Sequence, residues 1–241
     1  MKVCAAQLKL KPGDIGFNIG EHINLINKAI NSNVDLIFFP ELSITGYEPL
    51  LAKSLSSDIN DNRLDILQTL SDGNRIIICV GFPIKQENGN LIGLVIFQPN
   101  KERTLYAKQI LHEDELPFFK EGKEQVLINF DDETLAPAIC FESLQESHAT
   151  EAKKYGTSIY LATVAKHELG VQRGYKHYSL ISNQHGFITL MANSYGTCDN
   201  FMSFGSSAVW DKSGECIAKL GESENGLVGV DTLNGESFIV K

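Results

Sequence analysis

The sequence contains no C-x-x-C pair, and its five cysteines (Cys4, Cys79, Cys140, Cys198 and Cys216) are odd in number and scattered. That pattern excludes a zinc ribbon and offers no disulfide framework. His22, His112, His148, His167, His177 and His185 form no H-E-x-x-H and no close pair with a carboxylate, so no metal site is expected. A glycine-rich phosphate loop is also missing, so no cofactor is expected. No apolar run approaches the roughly 20 residues of a membrane helix, and MKVCAAQLKLKPGDIG lacks the apolar stretch of a secretory signal. Positive charge is scarce as well. With 21 Lys and Arg against 30 Asp and Glu, the formal net charge of −9 argues against a nucleic-acid or anionic-membrane partner. Repeats, low-complexity tracts and Pro/Ser-rich linkers are absent. The expectation is a reduced, cytoplasmic chain forming a single domain over residues 1–241.

What is present is an alternation of strand-like and helix-like segments. KVCAAQL reads as a first strand, followed by a loop through Pro12-Gly13-Asp14. GEHINLINKAINSN (20–33) sets Ile23, Ile26, Ala29 and Ile30 at helical spacing. VDLIFF and RIIICVGFPI are near-continuous apolar runs, as buried strands are. Between them NRLDILQTLSDG reads as a helix capped by Gly73. Hairpins follow, with turns at Asn88-Gly89 and Pro99-Asn100. The rest reads as strand TLAPAIC, helix LQESHATEAKKYG (144–156), strand SIYLATV, helix YKHYSLISNQHG (175–186), strand FITLMAN and two or three closing strands. Strand–helix–strand units mixed with hairpins predict an α/β fold of two sheets covered by helices, not a parallel barrel.

Three polar residues stand at strand ends, where α/β proteins place their chemistry. Glu41 follows VDLIFFP, Lys108 closes a hairpin strand in LYAKQI, and Cys140 ends TLAPAIC before a helix. Singly each has a structural explanation: a turn cap, a solvated edge residue and a buried core thiol. Together they supply a base, a fixed positive charge and a nucleophile. A thiol with an ordinary pKa of roughly 8.5 needs a neighbouring base or cation to attack near neutrality. A partly buried carboxylate can take its proton and pass it to a leaving amine. An ammonium, with the backbone N–H after the nucleophile, can hold the oxyanion. The set is complete for acyl transfer from an amide or nitrile carbon.

These segments resemble the nitrilase, or carbon–nitrogen hydrolase, superfamily along nearly the whole chain. GDIGFNIGEHINLINKAINSNVDLIFFPELSITGY is similar to its opening segment and YAKQILHEDELPFFKEG to its lysine block. PAICFES resembles its nucleophile elbow, and LMANSYGTCDNFMSFGSSAVWDKSGE its late segment. The resemblance implies a four-layer α-β-β-α sandwich of the nitrilase type. It implies Glu41 as general base, Lys108 as oxyanion stabiliser, Cys140 as nucleophile, and Glu115 as a second carboxylate positioning Lys108 or substrate. Phe141 would supply the oxyanion N–H, while Tyr47 and His167 would line the substrate pocket. Glu48, Phe118 and Asn193 are further loop candidates for substrate contact.

The sequence also departs from the family. The Phe-Pro-Glu that many relatives carry after the cysteine block is absent from CFESLQESH, and Ser143, Leu144 and Gln145 occupy the place of an arginine that binds dicarboxylate amides in some branches. ELSITGYEPL resembles the glutaminase domain of glutamine-dependent NAD synthetases, without a synthetase domain in the 241 residues. The expected activity is hydrolysis of a small linear amide or carbamoyl compound to acid and ammonia by a homodimer or higher homo-oligomer. An acyltransferase, a nitrile hydrolase and a catalytically silent binding protein of the same fold are the alternatives.

Overall fold

Along β1 (Lys2–Gln7) the side chains of Val3 and Ala5 join one apolar cluster and those of Cys4 and Ala6 another, and all four are fully buried. Successive strand residues point to opposite faces, so such a strand needs a layer on each side. In the computed structural model, which describes residues 1–241, those layers are a second sheet and a pair of helices.

The first half of the chain runs α1 (Ile15–Asn31), β2 (Leu36–Phe38), α2 (Ala52–Leu55), α3 (Asp65–Asn74), β3 (Ile77–Gln86), β4 (Gly89–Phe97) and β5 (Thr104–Ala107). The second continues with β6 (Phe119–Lys120), β7 (Ile128–Phe130), β8 (Glu133–Ile139), α4 (Glu146–Lys154), β9 (Ile159–Val164), α5 (Glu168–His185) and β10 (Ile188–Asn193). It closes with β11 (Tyr195–Cys198), β12 (Phe201–Phe204), β13 (Ala208–Trp210), β14 (Cys216–Lys219), β15 (Gly226–Asp231) and β16 (Ser237–Val240).

One sheet has the order β16-β15-β1-β2-β3-β4-β5, with β6 against β4, and the other β14-β13-β10-β9-β8-β7. The centre of each is parallel: β1-β2-β3 in the first, β8-β9-β10 in the second. Parallel neighbours need crossovers, and α1, α3, α4 and α5 supply them. Phe38, Leu94 and Tyr106 of the first sheet meet Ile139, Leu161 and Leu190 of the second in the central cluster. On the outer faces Leu25, Ile26 and Leu67 cover Ile37 and Val80, while Ala149, Tyr178 and Ile181 cover Ala138, Tyr160 and Ala162. The result is the expected α-β-β-α sandwich. No helix is long and apolar enough to cross a membrane.

The boundaries correct the sequence reading in several places. α1 starts at Ile15, ahead of the apolar spacing, because Asp14 caps it by accepting the Phe17 N–H at 3.1 Å. α3 passes Gly73, and its cap is Arg75 in the left-handed conformation (φ +56°). α5 begins at Glu168 rather than near Tyr175. Its first turns contain Gly170 and Gly174, which face Lys166 and Tyr178 at close range. The segment expected as one helix over 144–156 is a tight turn at Glu142–Leu144 followed by α4. The hairpin β11–β12 was not foreseen.

Candidate active site

Glu41, Lys108 and Cys140 follow the ends of β2, β5 and β8, and the sheet order brings the three ends together. The FFPELSITGY segment becomes a tight turn after β2. Leu42 takes a left-handed backbone (φ +49°), the Ile44 N–H donates to the Gly81 carbonyl at 2.9 Å, and the Gly81 N–H donates to Ser43 Oγ at 3.2 Å. His22 braces the turn, with Nε2 2.9 Å from Ser43 Oγ and its ring stacked on Phe39 at 4.1 Å. Gly81 is required here: a Cβ would lie 2.3 Å from Leu42 N and 2.6 Å from the Pro40 carbonyl oxygen. Both contacts are backbone, so neither can yield cheaply.

Glu41 is 1 % exposed and Lys108 fully buried. Lys108 Nζ donates to Glu41 Oε1 at 2.8 Å and to Glu115 Oε1 at 2.6 Å. Glu115 Oε1 also accepts the Tyr47 hydroxyl at 3.1 Å, and its Oε2 accepts the His112 N–H at 2.8 Å. Lys108 is thus fixed between two carboxylates, as a buried cation must be. Glu41 Oε2 is different: it is buried and has no hydrogen-bond partner. The Cys140 thiol stands near enough to help hold the charge of the Glu41 carboxylate.

Cys140 has a left-handed backbone (φ +49°), uncommon for any residue but glycine, at the sharp turn out of β8. Its N–H donates to the Thr163 carbonyl at 2.9 Å, which fixes the turn against β9. Sγ lies 3.8 Å from the Ala165 carbonyl oxygen and 3.6 Å from Lys166 Nζ. Burial pushes the Glu41 carboxyl up to about 7, against the pull of the Lys108 charge. Burial and then the Glu41 charge push the Cys140 thiol up to about 11, despite Lys166 and Lys108. Burial lowers the Lys108 ammonium, but Glu41, Cys140 and Glu115 outweigh it and keep it charged. The resting pair is therefore a thiol facing a carboxylate that can accept its proton.

A cleft of about 290 Å³ opens over Cys140, lined among others by Tyr47, Phe141, Lys166, His167, Arg173 and Phe201. Phe141 stacks edge-on against His112 at 5.0 Å, and His167 sits edge-on to Phe201 at 6.1 Å. Tyr47 and His167 both line this cleft. Phe118 and Asn193 do not. Phe118 packs against the core between the sheets, and Asn193 is buried beneath the cleft, where Oδ1 accepts the Lys166 N–H at 2.9 Å and Nδ2 donates to the Lys166 carbonyl at 3.1 Å. Glu48 anchors the β11–β12 turn by accepting the Asp199 N–H at 3.0 Å. No three His, Cys, Asp or Glu side chains converge as they would around a metal ion.

Two residues escaped the sequence reading. Lys166 touches Cys140, the candidate nucleophile, although VAKHE carries no motif. Glu142, in CFES, is fully buried. Its Oε1 accepts the Tyr106 hydroxyl and the Ile139 N–H, both at 2.6 Å, and its Oε2 the N–H groups of Gln109 at 2.6 Å and Ile110 at 3.1 Å. A carboxylate two residues after a candidate nucleophile, before a helix, was the available signal.

A family model for carbon–nitrogen hydrolases matches residues 2–233. Among curated proteins, the chain is 24% identical over 223 residues to a glutamine-dependent NAD(+) synthetase of Acinetobacter baylyi, covering 89% of this chain and 41% of that protein. It is 23% identical over 239 residues to a probable nitrilase of Schizosaccharomyces pombe, covering 94% and 86%. The chain thus spans about two fifths of the synthetase it matches. Among solved structures, an amidase from Nesterenkonia sp. AN1 in complex with butyramide superposes with a TM-score of 0.85 at 20% identity, covering 96% of this chain and 90% of that one. A glutamine-dependent NAD+ synthetase from Acinetobacter baumannii superposes equally well, at 0.85 and 21% identity, covering 100% of this chain and 47% of that one. Both share the fold of this chain, and the match over residues 2–233 is the broader finding: the chain belongs to the carbon–nitrogen hydrolase family, whose members are hydrolases of carbon–nitrogen bonds.

Proposed function

We propose that this protein hydrolyses a small linear amide or carbamoyl compound to an acid and ammonia through a thioester on Cys140. The observation that carries the reading is the buried Glu41 carboxylate near the Cys140 thiol, its Oε2 without a hydrogen-bond partner and Lys108 fixed on the other oxygen. An orphaned acceptor in a buried site is costly unless it has work to do. Accepting the thiol proton is that work. Cys140 Sγ attacks the carbonyl carbon as Glu41 takes the proton, and the carbonyl π electrons move onto oxygen. The oxyanion is held by Lys108 and the Phe141 N–H. When the C–N bond breaks, the proton on Glu41 goes to the departing ammonia and the acyl group stays on sulfur. Water then enters, gives its proton to Glu41 and attacks the thioester; the returning thiolate recovers that proton.

Glu115 serves by holding Lys108 in place, and Tyr47 by donating its hydroxyl to Glu115. Removal of a single oxyanion donor costs roughly two to three decades in kcat, and Lys108 carries a full charge besides. Ammonia release from a panel of small amides, carbamoyl compounds and nitriles tests the reading. Release that disappears in Cys140→Ala supports it; an acyl-amine product formed only when an amine is added would favour acyl transfer. No turnover of any amide by the intact protein would favour a silent binding role.

A further inference from the structure

Lys166 is a buried lysine, 6 % exposed, that no carboxylate neutralises. Its ammonium has three donors, and its one side-chain hydrogen-bond partner is Cys140 Sγ at 3.6 Å. The position is built. Asn193 grips its backbone N–H and carbonyl, and the Phe204 N–H donates to that carbonyl at 2.9 Å. The methylene stem runs against Gly170, where a Cβ would come within 3.3 Å of Lys166 Cβ and 3.5 Å of Cγ. One turn further along α5, Arg173 lines the same cleft, exposed and without an ion-pair partner. Of the acids on the cleft wall, Glu115 holds Lys108 and Asp114 pairs with His112 at 2.6 Å; Asp199 stands on the β11–β12 turn. A buried ammonium with free donors facing an open cleft calls for an anion.

The direction of approach follows from the rest of the site. Glu41 and Lys108 lie on the buried side of Cys140, so the carbonyl oxygen and the departing ammonia face inward. The remaining arm of the substrate, its acyl chain, points out along Lys166 toward Arg173. We propose that Lys166 and Arg173 form an anion subsite that selects amides whose short acyl chain ends in a carboxylate. This rests on the hydrolytic reading above. The two cations come from the end of β9 and from α5, not from the segment after the cysteine, where Ser143, Leu144 and Gln145 stand.

The test compares iodoacetate with iodoacetamide as alkylating reagents for Cys140, followed by peptide mass spectrometry on the wild type, Lys166→Met and Arg173→Gln. The reagents share a leaving group and differ in the carboxylate. The subsite predicts that the rate ratio of iodoacetate to iodoacetamide falls about tenfold or more in Lys166→Met, the size of one charge-assisted hydrogen bond, and less in Arg173→Gln. Arg173 is exposed, so its variant tests the proposal even where Lys166→Met folds poorly. In the intact protein, succinamate should exceed butyramide in kcat/KM by about tenfold or more, chiefly through KM. A ratio unchanged in both variants overturns the subsite. If Lys166→Met instead only raises the pH at which both reagents react, Lys166 serves the thiolate and the subsite is also overturned. Hydrolysis of butyramide as efficient as that of succinamate removes the subsite and leaves the hydrolytic reading intact. Labelling by iodoacetamide without labelling by iodoacetate overturns the subsite alone, and failure of both reagents to label Cys140 overturns both readings.

Discussion

The Glu142 carboxylate accepts the Gln109 N–H at 2.6 Å, and through it the chain beside Lys108 is tied to the turn that carries Cys140. Its other oxygen holds Ile139, the residue before Cys140. One buried group therefore sets the distance between the candidate oxyanion cation and the candidate nucleophile. Tyr106 extends the network to His148 at 2.9 Å, and His148 to Tyr160 at 2.8 Å.

Glu142→Gln should be costly on two scales. An amide replaces one acceptor oxygen with donors, leaving buried N–H groups facing N–H, at a cost of roughly 1–3 kcal/mol for each unsatisfied group. Urea unfolding should register that loss. Because the two arms of the site separate, kcat should also fall by roughly ten- to a hundredfold with little change in KM, as expected when reacting groups lose alignment. Unchanged kcat in a folded variant would show that Glu142 does not set the geometry.

Gly81→Ala should injure activity more than folding suggests. The added methyl meets the backbone of Pro40, Glu41 and Leu42, so relief requires the Glu41 turn to move. A displacement of about 1 Å near reacting atoms can cost on the order of a hundredfold in rate. A Gly81→Ala protein with wild-type ammonia release would contradict this account of the turn.

The pH dependence follows from Glu41. With the carboxyl pushed up to about 7, kcat/KM should fall below that pH as the base becomes protonated, and Glu41→Gln should lack this limb. Stability runs the other way. Below the usual 4.5 the group is protonated in both folded and unfolded chains; between 4.5 and about 7 the unfolded chain releases a proton that the folded chain keeps. Folding stability therefore declines as pH rises through that window and levels off above it. Denaturant titrations from pH 4 to 8 should find Glu41→Gln gaining on the wild type across the window. A constant difference would remove Glu41 as the group with the raised affinity for protons.

Much of the site was legible because its signals are local. Glu41, Lys108, Glu115 and Cys140 each stand in a short segment whose spacing resembles the family, and the apolar runs marked β2, β3, β8, β9 and β10. Residues whose roles arise only through tertiary proximity were not legible. Lys166 lies 26 residues from Cys140 in sequence, and only the parallel pairing of β8 with β9 places its ammonium on the thiol. Asn193 read as a loop residue facing substrate, whereas β10 buries it so that its amide can clamp Lys166. The start of α5 at Glu168 was missed, since Gly170 and Gly174 within its first turns favour no helix on their own and are accommodated by close packing on Lys166 and Tyr178.

Cysteine replacement separates the chemistry from the background thiols. Cys4 and Cys79 are fully buried, and Cys198 is nearly so; burial pushes all three thiols well above their ordinary range. Cys216 is exposed on β14. Each of the four, changed singly to Ala or Ser, should keep ammonia release within a few-fold of wild type. Loss of turnover in a folded Cys198 variant would point to a second thiol in the reaction.

The central claim is that Cys140 carries the acyl group. Rapid acid quench of the protein with a slowly turned-over amide, followed by intact-mass and peptide mass spectrometry, tests it most directly. The account predicts an adduct equal in mass to the acyl group on the peptide containing Cys140 in the wild type, and none in Cys140→Ala. An acyl adduct on any other residue, or full turnover in Cys140→Ala, would contradict it.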